Sequence, residues 1–195
     1  MRIGVLALQG DFAKHREAFH GAGAETVLVR RPDDLAGLEG IALPGGESTT
    51  LLRLLEGDGL REPLIEFLAE RPAFATCAGL ILLAQTLTDG GRVPRPPLGL
   101  LAVEVERNAY GRQIDSFTAP LRLGEDEEPF PGVFIRAPRL ARWGADVEPI
   151  AWHGAQVVGV RQGRHLGLAF HPELTDDPRL HRLFLAGCRQ PALCA

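Results

Sequence analysis

Apolar and polar positions along the first half of the chain form alternating blocks. Short, continuously apolar runs predict strands over 2–8, 25–30, 40–44 and 72–76. Amphipathic stretches between and after them predict helices over 11–21, 48–56, 60–70 and 78–87. Buried strands that alternate with such helices are typical of a parallel sheet covered on both faces. The pattern therefore predicts a three-layer α/β fold of the flavodoxin-like kind with a mainly parallel central sheet.

The second half of the chain has many strand-like runs and few helices. Strands are predicted over 99–106, 115–123, 132–136, 147–151, 156–161 and 165–170. A last helix, over 178–187, has Leu180, Leu183, Phe184 and Cys188 on a shared face and should pack back on the sheet. We expect a small antiparallel extension of the sheet, within a single domain that spans 1–195.

Composition indicates a compact globular protein. Hydrophobic residues make up 45% of the 195 positions, which is enough to fill a core. The net charge of −4 gives no sign of a nucleic-acid surface. The apolar run near the N-terminus is too short for a signal peptide, and no run approaches the roughly 18 residues of a membrane helix. We therefore expect a cytoplasmic protein that binds neither nucleic acid nor membrane.

The three cysteines lie at positions 77, 188 and 194. Their odd number fits a reducing compartment, and they have no metal-ligand spacing. The sequence predicts neither a metal site nor a cofactor.

Cys77 lies where a predicted strand turns directly into a predicted helix. Small residues two positions away on either side, Ala75 and Gly79, permit a tight turn. Such a turn exposes the side chain above the sheet edge and aims the next backbone N–H at the same point. A thiol there lies near the positive end of a helix dipole, which favours the thiolate. On this segment alone, a nucleophile and a buried apolar cysteine are about equally well supported.

A histidine and a glutamate follow the strand predicted over 165–170. On an extended segment, His171 and Glu173 would project to the same side. The carboxylate could then orient the imidazole, whose other nitrogen would face a nucleophile, as in a catalytic triad. Alone, His-Pro-Glu is more often a turn. With Cys77 at an elbow, the catalytic interpretation is the better one.

Gly45 and Gly46 end another apolar strand, and Ser48 is a candidate N-cap for the helix that follows. Backbone N–H groups of such a loop can bind phosphate or stabilise an oxyanion. A phosphate loop would need more glycines or a Gly-Lys-Ser/Thr ending, and neither is present. By itself the loop would most often be only a turn.

Together these segments resemble the class I, or triad, glutamine amidotransferases, and within them the glutaminase subunits of bacterial pyridoxal phosphate synthases. The resemblance rests on the segments GVLALQG (4–10), PGGESTT (44–50), TCAGL (76–80), VERNAYGRQ (105–113), GVFIRAP (132–138) and FHPELT (170–175). It therefore spans nearly the whole chain. One departure is Ala75, where the family usually has glycine.

The resemblance implies hydrolysis of L-glutamine to L-glutamate and ammonia. Cys77 would be the nucleophile, His171 the acid and base, and Glu173 the group that orients His171. The oxyanion would be held by N–H groups of Gly45, Gly46 and Ala78. The resemblance assigns glutamine binding to Gly46, Glu47, Ser48, Arg107, Ile135 and Arg136. An arginine fork suits the α-carboxylate of glutamine.

A partner chain is also expected, because the amidotransferase module takes up all 195 residues and leaves no room for an acceptor domain. In the family this partner is the synthase subunit, a (β/α) barrel that makes pyridoxal 5'-phosphate from a pentose phosphate, a triose phosphate and ammonia in a hetero-oligomeric complex. The resemblance implies that docking activates a weak free glutaminase. It makes Gln9 and the Gly-Gly loop candidates for this coupling.

Three other interpretations compete. Another stand-alone amidotransferase subunit, such as that of histidine biosynthesis, would share the triad but should lack the segments around Arg107 and Arg136. A cysteine hydrolase or stress protein of related fold would lack the downstream His-x-Glu. A regulatory binding subunit that kept the fold would have no need of an intact triad.

Overall fold

The structure is a computed structural model that describes residues 1–88, 95–107 and 116–189. In chain order, the strands are β1 (Arg2–Leu6), β2 (Glu25–Val29), β3 (Gly40–Leu43), β4 (Ala73–Thr76), β5 (Ala84–Leu87), β6 (Leu101–Glu106), β7 (Phe117–Leu123), β8 (Phe130–Phe134), β9 (Arg139–Trp143), β10 (Glu148–His153), β11 (Gln156–Gln162) and β12 (His165–Leu168). The α-helices are α1 (Phe12–Gly21), α2 (Ser48–Gly57), α3 (Arg61–Glu70), α4 (Ala78–Leu83) and α5 (Arg179–Cys188). Two 3₁₀ turns cover Pro32–Leu35 and Pro172–Leu174.

Within the described residues, the main sheet has nine strands in the order β2-β1-β3-β4-β12-β11-β10-β7-β8. The first five strands are mutually parallel, and each later strand pairs antiparallel with its neighbour. This arrangement confirms the predicted α/β fold with an antiparallel extension. The extension comprises four strands of the main sheet and is joined to the parallel part through β12.

The parallel strands β4 and β12 lie side by side, with Phe74, Ala75 and Thr76 in register with Leu166, Gly167 and Leu168. Their carboxyl ends therefore meet at the same edge of the sheet. Because Cys77 follows β4 and His171 follows β12 closely, this pairing brings the two residues to one place although they are distant in the chain.

A second sheet, among the described residues, has three strands in the order β5-β6-β9. The prediction of one helix over 78–87 is wrong, because α4 ends at Leu83 and β5 follows at once. The segment 98–100 accounts for the early end, since its N–H groups donate to the last two carbonyls of the helix and to the first carbonyl of β5. These bonds run from Leu98, Leu100 and Gly99 to Leu82, Leu83 and Ala84.

Strand β9 was not predicted. Only Leu140 of its five residues is buried, while its two arginines and Trp143 are exposed. An edge strand with one inward side chain has no apolar periodicity to detect. The predicted strand over 132–136 ends earlier, at Phe134, and the start of the strand predicted over 115–123 lies outside the described residues.

Helix α5 packs against the core as predicted, with one correction. Its buried side chains are Leu180, His181, Phe184 and Leu185, whereas Leu183 is 41% exposed. The prediction placed Leu183 wrongly. The buried positions of α5 are spaced four residues apart, and Leu183 lies beside this buried face and not on it. Phe184 contacts Phe19 of α1 and Phe74 of β4, so α5 joins α1 to the parallel strands.

None of the helices in the described parts of the chain is both long enough and apolar enough to cross a lipid bilayer.

Candidate active site

Cys77 occupies the sharp turn between β4 and α4 that the sequence predicts. Its backbone has φ 48° and ψ −104°, a conformation that non-glycine residues rarely adopt. The turn is held in place because the N–H of Cys77 donates to the carbonyl of Leu168 at 2.8 Å. Gly79 is required on the far side, since a Cβ there would overlap the carbonyl oxygen of Leu43. Ala75, the departure from the family pattern, is fully buried, and the elbow forms with its methyl group in place.

The His171–Glu173 pair forms, although not on an extended segment as predicted. Strand β12 ends at Leu168, and Glu173 lies in the 3₁₀ turn that begins at Pro172. Proline favours this first position of a turn because its φ is already fixed there. The turn places Nδ1 of His171 2.7 Å from Oε1 of Glu173. Both residues are buried.

The surroundings of His171 and Glu173 shift the pKa of each residue so that its charged form is favoured. Burial lowers the pKa of His171, but hydrogen bonds and charge interactions with Cys77 and Glu173 outweigh this effect and raise it to about 10. Burial raises the pKa of Glu173, whereas the attraction of His15 and hydrogen bonds from His15 and His171 hold it well below the usual range. At neutral pH the arrangement favours an imidazolium beside a carboxylate.

The Cys77 thiol lies beneath the turn that follows β8. Its Sγ donates to the carbonyl oxygen of Ile135 at 3.8 Å. The Nε2 atom of His171 is buried and has no hydrogen-bond partner among the described residues. The Cys77 side chain is nevertheless near enough to the imidazole to raise the pKa of His171.

The Gly-Gly loop lies directly against the imidazole of His171. A Cβ on Gly45 would overlap the imidazole of His171, and Gly46 has φ +156°. Gln9 holds the loop from behind, because its Oε1 accepts from the N–H of Glu47 at 2.7 Å. Gly10 also packs so closely on the carbonyl of Gly45 that a side chain there would clash. The segment after β1 and the Gly-Gly loop therefore support each other.

The N-cap of α2 is Glu47 and not Ser48 as predicted. The Glu47 carboxylate accepts from the N–H groups of Thr49 at 3.0 Å and Thr50 at 2.6 Å. Burial raises the pKa of Glu47, but these bonds to Thr50 and Thr49 outweigh it and lower the pKa overall. Ser48 becomes the first helical residue and is buried at the cavity wall.

The two arginines singled out by the sequence line the same cavity as Cys77. Arg107 is half-buried, and its Nη1 donates to Oγ1 of Thr49 at 3.4 Å, so it reaches the start of α2. Arg136 is exposed and has φ 45°. Together with Cys77 it is one of two non-glycine residues with positive φ in the described parts of the chain.

These groups line one open cavity of about 460 Å³. Its lining residues are Asp11, Gly45, Gly46, Glu47, Ser48, Thr49, Cys77, Ile81, Arg107, Ile135, Arg136 and His171. Every residue predicted to bind glutamine is present. Of the other predicted residues, Glu173 and Gln9 lie behind the wall, and Ala78 begins α4 just beyond Cys77.

The cavity also includes residues that the sequence did not indicate. Asp11, Thr49 and Ile81 belong to its lining. Thr49 lies inside the segment PGGESTT, and Asp11 and Ile81 directly follow the segments GVLALQG and TCAGL, so their position in sequence was the available signal. Among the described residues, no group of three or more His, Cys, Asp or Glu side chains is arranged to hold a metal ion. Cys194 lies outside the described residues.

Comparison with known proteins identifies the family. The model of the SNO glutamine amidotransferase family matches residues 5–190. The chain belongs to this family. A pyridoxal 5'-phosphate synthase subunit PdxT of Thermococcus onnurineus is 52% identical over 193 residues, covering 95% of this chain and 98% of the relative. The protein of the same name from Deinococcus radiodurans is 53% identical over 188 residues, with 95% and 96% covered.

Solved structures agree with this membership. A crystal structure described as a glutamine amidotransferase has a TM-score of 0.86 and 45% identity, and the match covers 95% of this chain and 98% of that one. The structure of PurLQS from Thermotoga maritima has a TM-score of 0.65 at 17% identity, with 96% of both chains covered. At that identity the second likeness concerns the fold alone.

Proposed function

We propose that this chain hydrolyses L-glutamine to L-glutamate and ammonia as the glutaminase subunit of a pyridoxal 5'-phosphate synthase. The observation that carries the proposal is the junction of β4 and β12, which places an elbow cysteine and a buried His–Glu pair at one cavity. The names of relatives that are about half identical over nearly their whole length support the same activity.

The reaction begins with attack of the Cys77 thiolate on the side-chain carboxamide carbon of glutamine. The attacked carbon becomes tetrahedral and its oxygen becomes an oxyanion. N–H groups of the Gly-Gly loop and of Ala78 would stabilise this oxyanion. The His171 imidazolium gives its proton to the leaving nitrogen as the C–N bond breaks. Ammonia departs, and a γ-glutamyl thioester remains on Cys77.

The second half of the reaction uses His171 as a base. It takes a proton from water, which attacks the thioester carbon, and the C–S bond breaks to release glutamate and the Cys77 thiolate. His171 is again an imidazolium. Glu173 stabilises this form in both halves through its 2.7 Å bond to Nδ1.

Arginines at the cavity would select the amino-acid end of the substrate. Arg107 and Arg136 both line the cavity that holds Cys77. A guanidinium can bind a carboxylate with two parallel hydrogen bonds. The α-carboxylate of glutamine is therefore assigned to the part of the cavity that Arg107 and Arg136 line.

The ammonia acceptor would be a barrel-shaped synthase subunit. The Gln9 bond to Glu47 supports a coupling role, since it connects the end of β1 to the Gly-Gly loop. A partner that contacts this end of β1 could shift the loop and so adjust the oxyanion donors. Docking is therefore expected to raise the rate of glutamine hydrolysis.

The test is glutamate release from glutamine by this chain, alone and with a synthase subunit and its pentose phosphate. We expect a slow rate alone and at least a severalfold rise in the mixture, together with co-elution in size exclusion. The Cys77→Ala variant is the control and should release no glutamate in either condition. No rise and no co-elution, with activation by a different synthase instead, would remove the pyridoxal phosphate assignment and keep the glutaminase one.

A further inference from the structure

A buried histidine of α1 contacts Glu173 of the proposed triad and Thr76, the residue before Cys77. The His15 side chain is 0% exposed. Its Nε2 atom lies 3.4 Å from Oε1 of Glu173 and 3.1 Å from Oγ1 of Thr76. Thr76 directly precedes Cys77 at the elbow. One imidazole therefore connects the strand that carries the nucleophile to the carboxylate that orients the base.

The direction of the hydrogen bond follows from the partners. Glu173 is ionised, so its Oε1 can only accept. A lone pair on Nε2 of His15 would face the lone pairs of that oxygen, which is repulsive. Nε2 therefore carries a proton and donates toward Glu173, with the Thr76 hydroxyl sharing the same N–H.

We propose that His15 is a positioning residue of the triad, which holds the Glu173 carboxylate against the β4 strand so that Oε1 stays aligned with Nδ1 of His171. The inference rests on the proposed role of Cys77, His171 and Glu173. It adds to that triad a residue that does not line the glutamine cavity and whose effect is exerted through Glu173.

Few polar groups among the described residues hold the Glu173 carboxylate in place. Its Oε1 accepts from His171 and lies beside His15, whereas Oε2 has no hydrogen-bond partner within the described parts of the chain. Without His15, the His171 ring would be the remaining partner of a buried charge. Such a carboxylate would be costlier to keep ionised and free to turn about its last bond. Both proton transfers would then suffer, because both use His171.

His181 provides a matched control. It is also a buried histidine, its ring centroid lies 6.3 Å from that of His15, and both rings contact Phe74. Its Nε2 atom has no hydrogen-bond partner among the described residues. Replacing either histidine by leucine removes a buried aromatic ring, but only at His15 is a donor to Glu173 lost.

The experiment compares His15→Leu, His15→Gln and His181→Leu in the complex with the synthase subunit. Loss of a hydrogen bond to a charged group should lower kcat by about 10- to 100-fold in His15→Leu with little change in KM. His15→Gln should recover part of that loss, because its amide nitrogen can reach the place of Nε2. His181→Leu should keep kcat within about twofold. If His15→Leu does not fold, Thr76→Val, which removes the other anchor of the bridge, should still lower kcat measurably.

A double-mutant cycle checks the route of the effect. If His15 acts through Glu173, combining His15→Leu with Glu173→Gln should lower kcat no further than Glu173→Gln alone. Additive losses would overturn the proposal, as would a folded His15→Leu variant with wild-type kcat or equal losses in the His15 and His181 variants. Cys77→Ala and His171→Asn are assayed alongside. If these two are inactive while His15→Leu is normal, only the positioning role fails; if they are active, the triad itself fails.

Discussion

At the scale of single residues, backbone strain is concentrated at the cavity. Cys77 and Arg136 both have positive φ, and both line the cavity. A non-glycine residue in such a conformation costs on the order of 1–3 kcal/mol, which the surrounding structure has to offset. At Cys77 the offset includes the bond from its N–H to Leu168 and the close fit of Gly79. The strain thus accompanies the placement of the Cys77 thiol at the cavity wall, where it is 6% exposed and where the proposed chemistry needs it.

The two described cysteines should differ sharply in reactivity. Cys77 lines the cavity, whereas burial raises the pKa of Cys188 to about 12, so its thiolate is scarce at neutral pH. A glutamine-like electrophile should modify Cys77 and spare Cys188, as mapped by peptide mass spectrometry. Cys77→Ala should abolish glutamate release without unfolding the protein, and Cys188→Ala should retain it. Preferential labelling of Cys188 would contradict the assignment of the nucleophile.

The raised pKa of His171 predicts a pH dependence of stability. Because the pKa in the folded protein, about 10, exceeds the ordinary value of 6.5, protonation stabilises the fold. This contribution is complete below about pH 6.5 and is lost as the pH rises toward 10. In Glu173→Gln the pKa of His171 should fall, and the decline of the free energy of unfolding between pH 7 and 10 should become shallower.

Urea unfolding at several pH values measures that decline, and NMR titration of ¹⁵N-labelled histidine reports the pKa of His171 directly. If the free energy of unfolding fell equally between pH 7 and 10 in the wild type and in Glu173→Gln, Glu173 would not be the group that keeps His171 protonated.

The sequence predicted the triad residues but missed two of their supports. Cys77, His171 and Glu173 were predicted from short motifs taken together and from the family resemblance, because each motif alone fits a buried cysteine or a turn at least as well. Glu47 was placed in the site, yet its capping role depends on the angle at which the loop enters α2. His15 lies on the buried face of a helix, where its contact with Glu173 depends on how α1 docks on the sheet. Sequence spacing contains no information on that docking.

At the scale of elements, the elbow depends on the close approach of α4 to β3. Gly79→Ala would push a methyl group into the carbonyl of Leu43, so the backbone has to move. We expect a loss of about 1–3 kcal/mol in the free energy of unfolding and a lower kcat as Cys77 shifts. Gly57→Ala in α2 is the control, since nothing lies within 4 Å of the added Cβ and alanine favours helix.

Thermal denaturation and glutamate release of both variants measure these effects. An elbow that tolerates Gly79→Ala at full activity and stability would contradict the close packing of α4 on β3.

Element types were predicted well where burial was continuous and poorly where it was not. Strands β1, β3 and β4 are buried on both faces and appear in the sequence as unbroken apolar runs. The apolar run after Cys77 was assigned entirely to a helix, because periodicity does not distinguish a buried helix from a buried strand over so few residues. The change from α4 to β5 at Ala84 is accompanied by tertiary contacts, namely the bonds from residues 98–100 and the pairing with β6.

At the scale of the whole molecule, α5 packs against α1 and β4, which belong to the first half of the chain. Phe184 is buried against Phe19 and Phe74, two residues from elements near the other end of the chain. Phe184→Ala should therefore lower the free energy of unfolding by about 3–5 kcal/mol. Leu183→Ala, one position away but 41% exposed, should change it by less than about 1 kcal/mol. Chemical denaturation of both variants measures the difference, and equal losses would contradict the observed packing of α5.

The central place of β12 also determines when this enzyme can first become active during its synthesis. Strands β1 to β4 leave the ribosome early and can pair with one another, but the outer edge of β4 stays open until β12 has been made. Until then the nascent chain carries an unpaired edge strand whose first three residues, 73–75, are apolar, and such an edge is a site for aggregation. A released fragment that ends before β12 should therefore be both inactive and prone to precipitate. Of the strands in the described residues, β12 comes last in the chain, so its pairing with β4 also brings His171 to the elbow that holds Cys77. With the proposed roles of these two residues, no ammonia would be produced before β12 has been made.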